Sequence, residues 1–381
     1  MTTLAISTHP SVEEIAATIR DAASPRRGLR IVGAGTWLDG GPPIEATERL
    51  QGGHADVVEY VPGDLTITVG ANASLSAIAA TTSAHDQWLT LDPFGDPNGT
   101  IGATVATGSW GPLSTGFGSP RDHVLGLEVV TGLGAIVRGG GRVVKNVAGF
   151  DLVRLFTGSR GALGLITEVT LRLRARPAVD ATLGVSIDGS VGGMRAIARV
   201  IREWPFTPMA AELLDAGAAA AIGLPKATTL LLRLGGNARA VDAQRRRAAG
   251  LGRTVEADTA IWARLRAIEN GANGVVRILD QPSAFEERWH DAAQIAGVNG
   301  ALIGTPTRGW IRCVIADVDL QKISAFRARA RSASIVIDRL PSASAWHSVT
   351  SEINPSGLDA RVKAVFDPAA ILNPGVLRVV R

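Results

Sequence analysis

Glycine is unusually dense between Leu91 and Gly164, yet short apolar stretches of strand character persist between the glycines. Glycines between short strands serve turns, bulges or close approach of main chain to a ligand. Their concentration in one region is the first sign of a cofactor lying against backbone. At 381 residues the chain exceeds one typical core and suits two domains. A hydrophobic share of 46% supplies the apolar surface such cores need.

The segments around the glycine-rich region follow ordinary start and stop rules. Ser11 with Glu14 three residues on reads as a capping box, and Val12, Ile15, Ala16 and Ile19 share one face of the helix that follows. Strands are expected at Leu29–Val32, Val57–Val61 and Leu65–Val69, with a helix at Ser74–Thr82. Val124–Thr131 and Ala135–Arg138 read as a hairpin around Gly132-Leu133-Gly134, and Ala162–Arg174 as one long strand. After Pro177 the pattern changes. Strand segments (Leu183–Ile187, Thr229–Leu234, Val275–Leu279, Trp310–Ala316, Ser334–Ile337) alternate with helical ones (Gly192–Glu203, Arg239–Leu251, Ile261–Asn270, Ala284–Ala296, Leu320–Arg331). This alternation predicts an α+β domain with helices on one side of a largely antiparallel sheet.

Composition excludes several functions. The formal charge is only +4, without a basic stripe interleaved with aromatics, so nucleic acid is a poor partner. No apolar run is long enough to span a bilayer, and Met1–Ser11 has neither the positive cluster nor the apolar core of a secretory signal. The single cysteine, Cys313, rules out an internal disulfide framework and fits a reducing cytoplasm. It also rules out an iron–sulfur cluster held through cysteines by this chain alone.

Gly33-Ala34-Gly35 after a strand invites a dinucleotide-fold reading, but the third glycine of that fingerprint is replaced by Leu38. Asp39-Gly40-Gly41-Pro42-Pro43 cannot begin a long helix, and no lysine follows for a nucleotide-triphosphate loop. What remains is a loop whose N–H groups could form a nest for phosphate oxygens. A second constellation supports this. Asp92-Pro93 leads to Gly99-Thr100-Ile101-Gly102, Thr107-Gly108, then Gly118-Ser119-Pro120-Arg121-Asp122-His123-Val124 and Gly158-Ser159-Arg160-Gly161-Ala162-Leu163-Gly164-Leu165-Ile166. Gly99, Gly102, Ala106 and Gly108 allow backbone to pack edge-on against a flat ring, with Thr100 and Thr107 as hydroxyl donors.

These segments resemble the PCMH-type FAD-binding domain of the vanillyl-alcohol oxidase superfamily, over about residues 10–175. A second match, Phe366-Asp367-Pro368-Ala369-Ala370-Ile371-Leu372-Asn373-Pro374-Gly375, is similar to that family's closing motif. The run Gly140–Leu155, with Lys145-Asn146 and Gly149-Phe150-Asp151, is similar to the flavin-binding E-subunit family of glycolate oxidases. The resemblance implies a fold of two α+β subdomains binding FAD (1–176), then an α+β cap with an antiparallel sheet (177–345) and a terminal segment returning to the flavin (346–381). It implies cofactor contacts at Gly33, Ala34, Gly35, Thr36, Trp37, Leu38, Asp92, Pro93, Gly99, Thr100, Ile101, Gly102, Thr107, Gly108, Gly118, Asp122, Val124, Gly161, Gly164, Ile166 and Asn373. Ala34, Trp37 and Gly102-Ala103 depart from the usual pattern. Some relatives tether FAD through a histidine in the first loop. Gly33–Pro43 has no histidine or cysteine, so non-covalent FAD is expected.

The six histidines show no metal-pair spacing, and no metal is expected. Oxidation of a 2-hydroxy acid needs a base for the hydroxyl proton and a cation for the carboxylate. His347 is the candidate base and Arg312 the candidate cation, with Arg277 and Arg308 as alternatives, while His123 reads as structural. The resemblance implies a cytoplasmic subunit, membrane-associated through partners if at all, beside a catalytic FAD subunit and an iron–sulfur subunit. A non-catalytic flavin-binding subunit and a free-standing FAD-dependent alcohol oxidase stand as alternatives.

Overall fold

The computed structural model describes residues 10–36, 41–46, 48–141, 151–187, 191–352 and 357–380. The helix Val12–Ala23 starts at the expected capping box, with Ser11 accepting from Glu14 N–H and Glu14 reaching back. Ile15, Ala16 and Ile19 are buried, and the helix packs on a core shared with Leu29, Val130, Leu165, Ile371 and Leu372. Strand Leu29–Val32 pairs in parallel with Glu48–Gln51, a strand the sequence pattern did not reveal.

A five-stranded antiparallel sheet follows, in the order Val57–Val61, Thr66–Gly70, Gly164–Arg172, Val124–Thr131, Ile136–Gly140. The hairpin registers Leu127 opposite Gly139 and Val130 opposite Ile136. The long strand expected at 162–174 is broken: Arg174–Ala175 leaves it to pair with Gln87–Trp88. The glycine-rich run also differs from a purely extended reading, because Ile101–Thr107 is a short helix. Thr100 caps it by accepting from Ala103 N–H, and Gly108 ends it at φ +63°, a conformation that glycine adopts without a Cβ penalty.

The second unit is an eight-stranded antiparallel sheet. Its order is Thr254–Ala257, Val179–Ser186, Thr229–Gly236, Ala210–Leu214, Ala301–Thr305, Trp310–Ile315, Gly274–Leu279, Ser334–Arg339. Leu230, Leu232 and Leu234 alternate with Leu231 on the strand Thr229–Gly236, so the two sets face opposite sides. The first set joins a core with helices Val191–Glu203, Ala238–Ala249, Phe285–Ala296 and Leu320–Arg329. The expected one-sided helix layer needs correcting at the opposite face. There Leu231, Leu214 and Ile303 pack with the short helices Ala216–Ala221 and Ile261–Arg266 and with Phe94. A loop of the first unit thus inserts under the cap sheet.

The terminal segment returns to the first unit. Asp367 accepts from the N–H groups of Ile371 and Leu372 and pairs with Lys363, which folds the closing turn. Leu29 N–H then donates to Ile371 O, and Asn373 N–H to Leu29 O, so the segment docks beside the first strand.

Candidate functional site

The parallel pair Leu29–Val32, the helix Ile101–Thr107, the loop Gly158–Ala162 and the returning segment enclose a cleft of about 1110 Å³, counting its open mouth. Along one wall run Gly33, Ala34, Gly35 and Thr36. Their backbone N–H groups make no hydrogen bond among the described residues, and Gly35 and Gly41 have positive φ. Successive free N–H groups in such a loop form a concavity suited to an anion. The opposite wall is built from small residues in contact with backbone. The two walls touch where a Cβ on Gly33 would overlap the Thr100 hydroxyl, and within the second a Cβ on Gly102 would lie 2.7 Å from Ala71 Cβ. One on Gly161 would lie 2.7 Å from Asn373 Nδ2. Ala71, Asn72, Ala103, Ala106, Thr107 and Ser109 complete that wall.

Asn373 ties the parts together. Its Oδ1 accepts from Ile31 N–H at 2.7 Å and its Nδ2 donates to Arg160 O at 2.8 Å. Arg160 N–H in turn donates to Ala106 O at 2.6 Å. Three segments far apart in sequence therefore meet at one side chain on the cleft.

The cap contributes Arg277 and Asp338. Asp338 accepts from Arg277 Nε at 2.5 Å and from its other nitrogen at 2.9 Å, and both side chains are buried. Burial alone would push the Asp338 carboxyl up. The charge and hydrogen bonds of Arg277 outweigh it and hold the carboxyl below its ordinary range. Arg160 and Arg312 each stand 3.7 Å from the same carboxylate, and Asp338 O accepts from Gly41 N–H at 2.7 Å. These cap residues share a sheet face because Arg277 is registered opposite Arg312, and Arg312 opposite Ile303. The same face carries Glu212, whose two oxygens each lie 3.0 Å from the Thr305 hydroxyl, and Trp310, whose ring centre lies 4.3 Å from that of Trp110 of the first unit with the planes tilted by 38°. Burial drives Glu212 up to about 8 and Asp92, across the seam, up to about 7.

Of the residues expected at the cofactor, Gly33, Ala34, Gly35, Thr36, Thr100, Gly102, Thr107, Gly161, Ile166 and Asn373 line this cleft. Trp37, Leu38 and the run 142–150 lie outside the described residues. The others stand behind the wall or further along the seam. Ile101 and Val124 are core residues, Gly99 closes the turn before Thr100, and Gly108 ends the helix. Asp92 accepts from Leu113 N–H, and the adjoining Pro93 also lies outside the cleft lining. Gly118 and Asp122 belong to a helix cap in which Ser119 donates twice to the Asp122 carboxylate, and Gly164 starts its strand. His123 is buried, and burial pulls it down to about 4, so it is neutral. Neither catalytic candidate reaches the cleft. His347 is exposed on helix Ala343–Val349, with Nδ1 2.6 Å from Ala343 O. Arg312 is buried against Glu269 at 2.6 Å, with its guanidinium over Phe94. The sequence reading missed Ala71, Asn72, Ser109, Arg160 and Asp338 as lining residues. Gly70-Ala71-Asn72-Ala73 at the end of a strand was the local signal for Ala71 and Asn72. Among the described residues no group of three or more His, Cys, Asp or Glu could hold a metal ion.

The open N–H loop, the wall of small residues and the arginines Arg160 and Arg277 fit a flat, anionic dinucleotide. Comparison with known proteins agrees. Residues 4–140 match the FAD binding domain family. The chain is 34% identical over 193 residues to glycolate oxidase subunit GlcE of Escherichia coli K12, covering 50% of this chain and 53% of that one. It is 33% identical over 185 residues to glycolate oxidase subunit GlcD of Bacillus subtilis 168, covering 48% and 39%. To the D-lactate dehydrogenase of Archaeoglobus fulgidus it is 29% identical over 205 residues, covering 53% and 45%. The chain thus spans about half the length of the curated relatives it matches. The fold is similar to that of alkyldihydroxyacetonephosphate synthase, with a TM-score of 0.67 at 17% identity, over 96% of this chain and 76% of that one.

Proposed function

We propose that this chain, whose residues 4–140 match the FAD binding domain family, is the flavin-carrying subunit of a complex that oxidises a 2-hydroxy acid such as glycolate or D-lactate. The observation that carries this reading is its 34% identity over 193 residues to a glycolate oxidase subunit, beside a cleft built for a flat anionic cofactor. Bound FAD would accept the hydride from the substrate carbon. The residues of this chain hold the cofactor non-covalently: the Gly33–Thr36 amides receive phosphate oxygens, and Gly102, Gly161 and Ala106 let the cofactor lie against backbone. No histidine or cysteine lines the cleft among the described residues, which supports a dissociable flavin.

Proton transfer is the weak point of catalysis by this chain alone. Among the described lining residues Asp338 is the one carboxylate, and it is held ionised by Arg277 with both oxygens bonded. A carboxylate so stabilised is a poor base. This favours a division of labour in which partner subunits supply the substrate base and carry electrons away. The test is anaerobic addition of glycolate or D-lactate to the purified chain and to the chain co-expressed with its neighbouring subunits. Bleaching only in the complex is expected. Bleaching of the isolated chain would place the whole reaction here, and no bleaching in either would remove the substrate class.

A further inference from the structure

Arg160 is a cation in an unusual position. It is a non-glycine residue at φ +53°, a region that L side chains enter at a cost, and its backbone is held there from both sides by Ala106 O and Asn373 Nδ2. The flanking Gly158 and Gly161, at φ +85° and +71°, let the loop turn sharply enough to present the side chain to the cleft. That side chain is only 24% exposed. Among the described residues its guanidinium has no hydrogen-bond acceptor, and its nearest carboxylate, Asp338, bonded by Arg277, stands 3.7 Å away, an ion pair too long for a hydrogen bond. A guanidinium carries five N–H donors, and an enclosed one without an acceptor is costly.

We propose that Arg160 is a specific phosphate-binding residue of the cofactor cleft, donating its unpaired N–H groups to a phosphate oxygen of FAD while remaining within reach of Asp338 on the cap. It therefore complements the Gly33–Thr36 loop: backbone amides from one loop, a strained arginine from another. It also links the cofactor charge to the cap through Asp338. The sequence gives no hint of this, because Gly-Ser-Arg-Gly reads as a turn until Asn373 and Ala106 fix its conformation.

This inference rests on the flavin reading of the cleft, and the experiment separates the two. The dissociation constant for oxidised FAD is measured by flavin fluorescence quenching for the wild-type chain, Arg160→Gln and Arg160→Lys, at low and high ionic strength. The flavin reduction potential and the melting temperature of the FAD-free proteins are measured alongside. All three carry a full side chain at the same φ, so backbone strain is matched. The expected result is FAD binding weakened about tenfold or more in Arg160→Gln, with a shallower salt dependence, and a smaller loss in Arg160→Lys, which keeps the charge without the fork. Melting of the FAD-free variants should stay close to wild type. Unchanged FAD affinity in Arg160→Gln would overturn the proposal. So would unchanged affinity with a lowered reduction potential, which would put Arg160 at the flavin ring, or a melting loss in the FAD-free protein that accounts for the weaker binding. A wild-type chain that binds no FAD would instead fail the flavin reading itself.

Discussion

The two walls of the seam recognise by opposite means. On the side of the first unit the surface is backbone: free N–H groups at Gly33–Thr36, glycines that exclude a Cβ, and a short helix packed against Ala71. On the cap side it is side chain: Arg277 with Asp338, Arg312 with Glu269, Glu212 with Thr305, and Trp310 against Trp110. A backbone wall takes its shape from the local chain and tolerates change only where a Cβ fits. A side-chain wall depends on every charge keeping its partner. Substitutions on the two walls should therefore fail differently, the first in cofactor binding and the second in folding.

The largest effect should come from Gly35→Asp, at φ +77° in the open N–H loop. A carboxylate there competes with phosphate for the same donors. Loss of FAD retention by at least about a hundredfold is expected on gel filtration of the reconstituted protein, with a normal far-UV circular dichroism spectrum. If that variant unfolded instead, the contrast between the walls would break. Asp338→Ala should do the reverse. It strands the buried Arg277, a loss of about 3–5 kcal/mol in urea denaturation. Asn373→Ala cuts a tie within the first wall, leaving Ile31 N–H and Arg160 O unpaired. About 1–3 kcal/mol of stability should go, together with weaker FAD binding.

A smaller effect sharpens the account of the cap wall. Glu212 in the folded protein releases its proton at about 8, against 4.5 ordinarily. Across that interval the unfolded chain is ionised while the native one still holds its proton, so the contribution of Glu212 to stability falls as pH rises. Glu212→Gln should flatten the decline of melting temperature between mildly acidic and mildly alkaline pH. A parallel decline would put the pH dependence elsewhere, with Asp92 the next group to test. Least of all should come from His347→Ala, an exposed side chain outside the cleft: FAD affinity unchanged and stability within about 0.5 kcal/mol in denaturant titration.

The difference between the walls also explains what the sequence made legible. Local signals led to the backbone wall. Gly33-Ala34-Gly35, Gly99–Gly102 and Asn373 in Asn-Pro-Gly could be picked out because glycine and turn chemistry are written in consecutive residues. The same reasoning placed the capped first helix, the hairpin and the antiparallel cap sheet. The cap wall was illegible because strand pairing assembles it. Arg277 reaches Asp338 from 61 positions away, and Arg312 reaches Glu269 from 43. Arginine in a strand has no local mark that separates a paired interior residue from a substrate cation, which is why Arg312 looked available. His347 drew attention through its position before the closing motif, but the helix turns it to solvent. Asp92, Asp122 and Val124, from the same run of sequence, lie outside the cleft lining, with their contacts in turns, caps and core.

Non-covalent FAD in this cleft is tested by the absorbance spectrum of the purified chain supplied with FAD and desalted, recorded before and after acid precipitation. A cleft of this construction should yield a yellow protein whose flavin bands move entirely to the supernatant. A protein that stays colourless after reconstitution would contradict the assignment of the cleft, and flavin retained in the precipitate would contradict non-covalent binding.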